Sequence, residues 1–497
     1  MEKKYPTFKI SRYQNVIFFL FAVGLLIYTS YRATYLSMTC DEASTYFSHV
    51  PNSIFKCFFS NSCWIDANNH LLNTFLMQLS IGIFGVSEWT LRLPNLCGHF
   101  IYLVFSIFIV TRYSKNFWIS LVGFCFLNLN PFLIEFFSLA RGYGLGVGMM
   151  MMSIYYLLRW IEDYNLKMGV YCFIGAILAV LSNFVFLNYW ASLSGVFGLL
   201  ILNKYFFREM NSKRKFDFIS LVIPLISAIV LFVFLKTPIN HLSSKGEFDY
   251  GYDSFIESFE SLVKLSVMSQ GYFNPFTTNV FILFSSVLLG LTTISGVFYF
   301  FKNPKSTFSK IQFGVVGLMV LILMSTVVQY YLLGVQYLQG RKAIMLLPVF
   351  GIVGYVFFEY LSKKINPKMM IVIAIFISVF SWNHFYRTFD LKETVEWKYD
   401  AYTKDMVNYL DETLPENKKS HVAVYFIFEP ATHFYQEQFS LDRIGRLSRV
   451  DDGNLGREVD ADYLYVQKKD IQKVASEYVF VKEFGGEGVL FARSTTL

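Results

Sequence analysis

Long apolar segments recur along most of this chain and constrain its fold more than any other feature. The first extends from about Asn15 to Leu36 and is long enough to cross the hydrocarbon core of a bilayer as one helix. Hydrophobic residues make up 54% of the 497 positions and charged residues only 16%. A typical soluble protein has about 25% charged residues. The sequence therefore predicts a polytopic α-helical membrane protein.

The apolar blocks predict about eleven transmembrane helices. Their approximate bounds are 15–36, 92–111, 117–134, 143–161, 169–187, 189–206, 217–235, 277–301, 311–333, 343–361 and 369–386. The stretch Leu71–Phe84 is too short for a span, and we predict that it forms a helix lying in the membrane interface. The aromatic-rich stretch Ser44–Phe59 is a second candidate for an interfacial helix.

Basic residues concentrate in connections that share one side of this topology. Lys3, Lys4, Lys9 and Arg12 precede the first span, so the positive-inside rule predicts a cytoplasmic N-terminus. The later basic connections fall on the same side, at Arg112/Lys115, Arg159/Lys167, Lys204 to Lys215, Lys302/Lys305/Lys310 and Lys363/Lys364/Lys368. We therefore interpret the net charge of +7 as orientation within the membrane and predict no nucleic-acid binding.

The C-terminal part of the chain differs in composition from the rest. We predict a transmembrane domain over 1–386, whose first extracytoplasmic loop is 37–91, and a small extracytoplasmic α/β domain over 387–497. Charged and apolar residues are mixed in the second domain. Its pattern predicts an amphipathic helix over Lys392–Asp411 and strands at Val422–Phe428, Tyr463–Gln467, Tyr478–Lys482 and Val489–Arg493.

The six cysteines form neither a CxxC motif nor a Cys/His zinc pattern. Cys57 and Cys63 share the first outer loop, where a disulfide and two free thiols are both open interpretations. A divalent metal at Asp41, Glu42 and His70 is chemically feasible, but no strict ligand spacing supports it, so no metal ligands are predicted.

Polar residues gather at the outer ends of the predicted spans. They occur at Asp41-Glu42, Asp66 to His70, Asn130 to Glu135, Arg141 to Tyr143 and Gly340 to Lys342. Carboxylates near the membrane surface belong either to a solvated loop or to a catalytic base that faces a lipid-borne substrate. Sugar transfer from a lipid phosphate to a hydroxyl requires such a base, together with cations that hold the departing phosphate. The guanidinium fork of arginine suits the second task.

Several segments resemble the polytopic GT-C glycosyltransferases. The resemblance rests on Asp41-Glu42 after the first span and on the run from Phe84-Gly85-Val86-Ser87-Glu88 to Arg92-Leu93-Pro94. It also rests on Asn130-Pro131 with Arg141-Gly142-Tyr143, and on Arg341 with Pro348. The most similar group contains protein O-mannosyltransferases, aminoarabinose transferases and RgtA/B/C/D-like enzymes.

The resemblance implies a sugar donor on polyprenyl phosphate and an active site on the non-cytoplasmic side. It implies that Asp41 is the general base, and that the neighbouring Glu42 helps by positioning substrate or a metal. The candidate substrate-binding residues are His70, Asn69, Glu135, Arg141, Tyr143, Arg341 and Lys342. The sequence departs from the group's pattern at Gly142, where a proline is usual, and at Lys342, where a tyrosine is usual. His70 is followed by two leucines rather than prolines.

Alternatives remain open from the sequence. Glu135 either binds substrate or pairs with Arg141. The expected enzyme is an inverting glycosyltransferase whose acceptor is a lipid, an envelope glycan or a protein. Its rivals are a transporter or flippase of lipid-linked sugars and a non-catalytic envelope assembly factor. A bacterial inner membrane is the expected location, and an endoplasmic-reticulum membrane gives the same hydropathy pattern.

Overall fold

A computed structural model describes residues 12–52, 68–114, 116–206, 214–247, 249–267, 275–304, 306–414, 419–439, 443–455 and 459–496. Asp66, Cys57 and Cys63 lie outside these ranges, so the structure does not bear on the disulfide. The α-helices of the membrane part are α1 Arg12–Tyr35, α2 Cys40–Ser48, α3 Leu71–Phe84, α4 Glu88–Tyr113, α5 Phe117–Asn128, α6 Pro131–Glu135, α7 Tyr143–Asp163, α8 Leu166–Ser182, α9 Leu187–Phe206, α10 Arg214–Ser244, α11 Phe255–Val267, α12 Pro275–Lys302, α13 Thr307–Leu333, α14 Leu346–Ser362 and α15 Pro367–Arg387.

Eight of the described segments are long and apolar enough to cross a membrane, so this is an integral membrane protein. They are Gln14–Tyr35, Glu88–Tyr113, Tyr143–Asp163, Phe184–Lys204, Ile219–Ser244, Thr278–Lys302, Thr307–Leu333 and Pro367–Arg387. Helix α5 and the segment Pro131–Ser138 pass the same criteria together but are bent by 59°. The predicted spans at 169–187 and 343–361 correspond to the shorter helices α8 and α14. The polytopic helical fold is confirmed, and the count of eleven spans stays a prediction.

The segment between the first two long apolar helices contains two described helices. Helix α3 has the predicted bounds, Leu71–Phe84, while α2 begins at Cys40, four residues before the predicted stretch that starts at Ser44. Thr39 explains this start, because its side chain accepts a hydrogen bond from the Glu42 N–H while the Glu42 carboxylate accepts one from the Thr39 N–H. This reciprocal arrangement is a capping box, which fixes the first turn of a helix.

The C-terminal part forms a five-stranded mixed sheet. Strands β1 Ser420–Tyr425, β2 Ile444–Val450, β3 Tyr463–Gln467, β4 Tyr478–Phe484 and β5 Gly488–Arg493 lie in the order β2-β1-β3-β5-β4. The first three strands are parallel, whereas β5 is antiparallel to β3 and β4. Sequence inspection missed β2, whose exposed positions interrupt the apolar pattern, and the short polar helix that precedes it.

Two helices of this part frame the sheet: α16 Thr403–Thr413 and α17 Glu429–Gln438. The predicted helix over Lys392–Asp411 is wrong in its first half. There the chain runs irregularly through 390–397 and continues as a 3-10 turn, Lys398–Tyr402, before α16 begins. Residues 390–401, called the strap below, instead use their backbone groups to bond the membrane helices. Arg32 of α1 donates to the carbonyl oxygens of Asp390 and Glu393.

Candidate active site

Helix α2 presents its two consecutive carboxylates to different surroundings. Glu42 is fully buried, while the side chain of Asp41 keeps 19% of its surface exposed. Successive residues of a helix are about 100° apart around its axis, so they face different neighbours. The two adjacent carboxylates therefore contact different residues.

Glu42 is saturated with hydrogen bonds. Its Oε1 accepts from Arg92 Nε at 2.9 Å and from the Ala140 N–H at 2.5 Å. Its Oε2 accepts from Arg92 Nη2 at 2.8 Å and from the Thr39 N–H at 3.0 Å. Burial alone would raise the pKa of Glu42, but the charge and hydrogen bonds of Arg92 outweigh burial and hold that pKa below its usual value. These contacts indicate that Glu42 stabilises the fold.

Arg92 extends this structural cluster to the end of the first span. Besides Glu42, it donates to the carbonyl oxygens of Ala33, Leu36 and Ser37 at 2.7–3.0 Å. The carbonyl groups at a helix C-terminus lack partners within the helix, and Arg92 supplies them for α1. The guanidinium thus joins α1, α2 and α4 at one buried point.

Asp41 faces two arginines that are far apart in the sequence. Arg141 Nη2 lies 3.0 Å from Asp41 Oδ2, and Arg341 Nη2 lies 3.3 Å from the same oxygen. The structure therefore brings together three of the residues that the sequence selects. Two guanidinium groups contact this one carboxylate, and guanidinium N–H groups are strong donors to anions such as phosphate.

Arg141 is fixed from several sides. It also donates to Asn68 Oδ1 at 2.8 Å and to Thr45 Oγ1 at 3.3 Å, and its own side chain is buried. Its Nε is buried with no hydrogen-bond partner among the residues that the structure describes. A buried donor without a partner is costly unless a ligand satisfies it.

Gly142 explains one departure from the resembling group. Its φ is +70°, and an added Cβ would collide with the Ser182 carbonyl and with the side chain of His70. Proline, the usual residue at this position in the group, is locked near φ −65°. This chain therefore turns into α7 by a conformation that glycine permits and proline does not.

Arg341 lies in a 3-10 turn, Gly340–Ala343, and is held by the strap. Glu396 Oε1 accepts from the Arg341 backbone N–H at 2.9 Å, and Oε2 accepts from Nη1 at 2.6 Å. The Trp397 ring lies 4.7 Å from the guanidinium carbon of Arg341 and 5.9 Å from that of Arg141. Burial works to lower the pKa of Arg341, but Tyr143, Glu396 and Asp41 together raise it, so the group stays cationic.

Of the two alternatives left open for Glu135, the structure does not show the pairing with Arg141. Glu135 is buried, and its Oε1 lies 3.4 Å from Nη2 of Arg32 in α1. Its Oε2 accepts from the Val395 N–H of the strap at 3.2 Å. These bonds join α1, α6 and the strap, and they give Glu135 no contact with Arg141 among the described hydrogen bonds and ion pairs.

The remaining predicted substrate residues lie around this cluster. The rings of His70 and Tyr143 meet edge to face with centroids 5.4 Å apart, and both side chains are buried. Asn69 accepts a hydrogen bond from Thr74 Oγ1 at 3.2 Å. Lys342 Nζ donates to the Tyr250 carbonyl at 2.8 Å, and burial followed by the charge of Arg341 lowers its pKa.

Asp400 of the strap places a carboxyl group next to the first turn of α2, which also carries Asp41. Its Oδ2 accepts from the Cys40 N–H, at the first turn of α2, at 2.6 Å. Burial raises the pKa of Asp400 well above its usual value, and the nearby Asp41 and Glu42 contribute in the same direction. The strap thus supports the helix that carries Asp41.

Within the described part of the chain, no group of three or more His, Cys, Asp or Glu side chains is arranged to hold a metal ion. Asp41 and Glu42 face different sides of α2, and Glu42 is already bonded to Arg92. The three residues considered for a divalent metal, Asp41, Glu42 and His70, therefore form no ligand cluster here.

Comparison with solved structures identifies the fold. ArnT from Cupriavidus metallidurans bound to undecaprenyl phosphate matches with a TM-score of 0.54 at 11% identity, over 96% of this chain and 97% of that one. The same protein in the apo state matches with a TM-score of 0.56 at 11% identity and the same coverage. The chain therefore has the ArnT fold, and the GT-C resemblance predicted from the sequence is confirmed at the level of the fold.

A third structure is less similar. Archaeal oligosaccharyltransferase AglB from Archaeoglobus fulgidus, in complex with an inhibitory peptide and a dolichol phosphate, matches at 10% identity with a TM-score of 0.41. That match covers 90% of this chain and 70% of AglB. No protein-family model and no curated protein sequence matches the chain.

Sequence inspection missed four residues around the site: Arg92, Glu396, Trp397 and Asp400. Arg92 lies inside an apolar segment that the sequence singles out only through its resemblance to the group. The other three lie in the strap, where the sequence pattern predicts a helix. The nearest signal in the sequence is the concentration of acidic and aromatic residues directly after the last apolar segment.

Proposed function

We propose that this protein is a membrane glycosyltransferase that moves a sugar from a polyprenyl-phosphate donor to a hydroxyl of an extracytoplasmic acceptor. The observation that carries the proposal is the convergence of Arg141 and Arg341 on Asp41. The ArnT fold supports it, because one ArnT structure holds undecaprenyl phosphate. The proposed compartment is the outer side of a bacterial inner membrane.

Asp41 is proposed as the general base. The acceptor oxygen attacks the anomeric carbon, Asp41 takes the hydroxyl proton, and the bond between the anomeric carbon and the phosphate oxygen breaks. The electron pair leaves with the polyprenyl phosphate, whose added charge the arginines stabilise. Attack from the face opposite the phosphate inverts the anomeric centre.

The two arginines also connect Asp41 to the donor phosphate. Before a donor binds, Asp41 is the anion that both guanidinium groups contact. A bound phosphate competes for the same N–H groups, including the unpartnered Nε of Arg141. Asp41 is then released from its ion pairs at the moment when a sugar is present, which limits unproductive proton transfer.

An apolar groove supports a lipid donor. It has a volume of about 380 Å³ and is lined by Phe255 and Phe259 of α11 and by residues of α12 and α13. Ser258 of the same helix α11 donates to the Leu338 carbonyl, three residues before Arg341. A prenyl chain in this groove would bring its phosphate end toward the arginines.

The test uses cells that lack this protein and carry either wild type or Asp41→Asn at matched membrane levels. Lipid-linked sugars and envelope glycans are profiled by mass spectrometry. We expect wild type alone to restore a glycan, while Asp41→Asn accumulates a polyprenyl-phosphate sugar that identifies the donor. Full restoration by Asp41→Asn would contradict the proposal and favour a flippase or an assembly factor.

A further inference from the structure

The strap is hydrogen-bonded at both ends to residues near the first apolar helix, and its middle part contacts the candidate site. The Tyr28 hydroxyl and Arg32 Nε of α1 donate hydrogen bonds to the Asp390 carbonyl oxygen at 3.0 and 2.9 Å. Ser37 Oγ donates one to the Ala401 carbonyl oxygen at 3.0 Å. Between these fixed ends, Glu396 and Trp397 face Arg341. A segment anchored at both ends can position a side chain more accurately than a free loop can.

Glu396 holds Arg341 at two points of the same residue. One carboxylate oxygen binds the backbone N–H and the other binds the end of the side chain. The preceding Gly340 has a φ of +51°, and an added Cβ there would collide with Glu396 Oε1. The turn before Arg341 is therefore shaped around this carboxylate, which has only 15% of its side chain exposed.

These bonds leave Arg341 able to bind more. A guanidinium has five N–H donors, and Glu396 and Asp41 engage only part of them. Trp397 covers one face of the group, and the side chain keeps 31% of its surface exposed. Arg341 therefore keeps N–H donors and exposed surface for a further acceptor.

The charges of the cluster are balanced. Two carboxylates, Asp41 and Glu396, face two guanidinium groups, so the four formal charges cancel. Without the charge of Glu396, Arg341 has Asp41 as its remaining anionic contact in this cluster. A tighter bond between them would withdraw Asp41 from proton transfer and Arg341 from phosphate.

We propose that Glu396 is a positioning residue, which orients Arg341 so that its remaining N–H donors bind the phosphate of the lipid donor and its contact with Asp41 stays no tighter than 3.3 Å. This inference rests on the proposed function. It assigns a role at that site to a residue of the strap, beyond the last membrane-spanning helix.

The test measures the affinity of the full-length protein in nanodiscs for undecaprenyl phosphate. The variants are Glu396→Gln, Glu396→Asp and Arg341→Met, and the matched control is Glu393→Gln. Glu393 lies in the same strap, but its side chain pairs with the exposed Lys398 at 3.6 Å. We expect Glu396→Gln to weaken binding at least about tenfold, Glu396→Asp to recover part of the loss, and the control to bind as wild type does.

The outcomes separate the inference from the proposed function. If wild type does not bind the lipid, the proposed function falls and the inference falls with it. If wild type binds and Glu396→Gln binds equally well, only the inference is overturned. Tighter binding by Glu396→Gln also overturns it, because Glu396 then competes with phosphate. The inference is also overturned if Arg341→Met binds undecaprenyl phosphate with wild-type affinity.

Thermal unfolding of each variant separates positioning from general stability. We expect Glu396→Gln and Glu393→Gln to unfold at similar temperatures. Should Glu396→Gln fail to fold, Glu396→Asp decides, since its shorter side chain must weaken lipid binding while the protein stays folded. Unchanged affinity in that variant overturns the inference.

Discussion

Helix α2 carries two adjacent carboxylates, and the two sides on which they lie differ in burial and in hydrogen-bond partners. On one side Glu42 is fully buried, and each of its oxygens accepts hydrogen bonds from Arg92 and from a backbone N–H. On the other, Asp41 is partly exposed and contacts two arginines, of which Arg141 has a buried Nε with no partner among the described residues. The difference teaches that an acidic pair in a sequence need not act as a pair: one member fixes the helix and the other is left available.

The largest expected effect on stability comes from breaking the buried side. Glu42→Ala leaves Arg92 buried without a counter-charge, which typically costs about 3–5 kcal/mol. We expect little folded protein to be recovered in detergent, as judged by size-exclusion chromatography. Asp41→Asn is the matched control, and equal losses of folded protein in both variants would remove the distinction between the two sides.

The next effect concerns ligand binding on the open side. Arg141→Lys keeps the charge but loses the fork that reaches Asp41, Asn68 and Thr45. We expect transfer to fall on the order of 10²-fold with the protein still folded. The rate is measured with the lipid-linked sugar identified in the Asp41→Asn cells. A wild-type transfer rate in Arg141→Lys would show that the fork of Arg141 is not needed to bind the phosphate.

A pH-dependent effect is expected from Asp400. Its folded pKa is raised by burial, so its contribution to stability is full below the unfolded pKa of about 3.9 and is lost as pH rises through the folded pKa. The amide introduced by Asp400→Asn does not titrate. The free energy of unfolding of this variant relative to wild type should therefore rise as pH increases above about 5, by at most about 1.4 kcal/mol per pH unit, until pH passes the folded pKa of Asp400. Thermal melts of both proteins across this range check the prediction, and parallel curves would contradict it.

The smallest effect is expected from an exposed ion pair of the C-terminal part. Lys392 Nζ lies 2.9 Å from Asp405 Oδ2, and both side chains are largely exposed. Such pairs contribute about 0–1 kcal/mol, so Lys392→Met should change the unfolding midpoint little at low salt and not at all at high salt. A loss of stability as large as that caused by Glu42→Ala would mean that burial does not explain the difference between the exposed and the buried ion pair.

The sequence predicted the fold because bilayer spans are encoded locally, in the length of apolar runs and in the charge of their flanks. It also selected Asp41, Arg141 and Arg341, whose contact spans 300 residues. It could not assign partners: Glu42 with Arg92 and Glu135 with Arg32 depend on how helices pack. The structure of the strap was not predicted from the sequence, because it depends on hydrogen bonds to α1 and to Arg341 and not on the strap's own helical pattern.

The most direct test of this account compares Asp41→Asn with Glu42→Gln in the same cells, with glycan product divided by the amount of folded protein in the membrane. We predict that Asp41→Asn is folded at the wild-type level and makes no product. We predict that Glu42→Gln is present at a reduced level, while each folded molecule works at close to the wild-type rate. Product from folded Asp41→Asn, or inactivity of folded Glu42→Gln, would contradict the assignment of one carboxylate to chemistry and the other to structure.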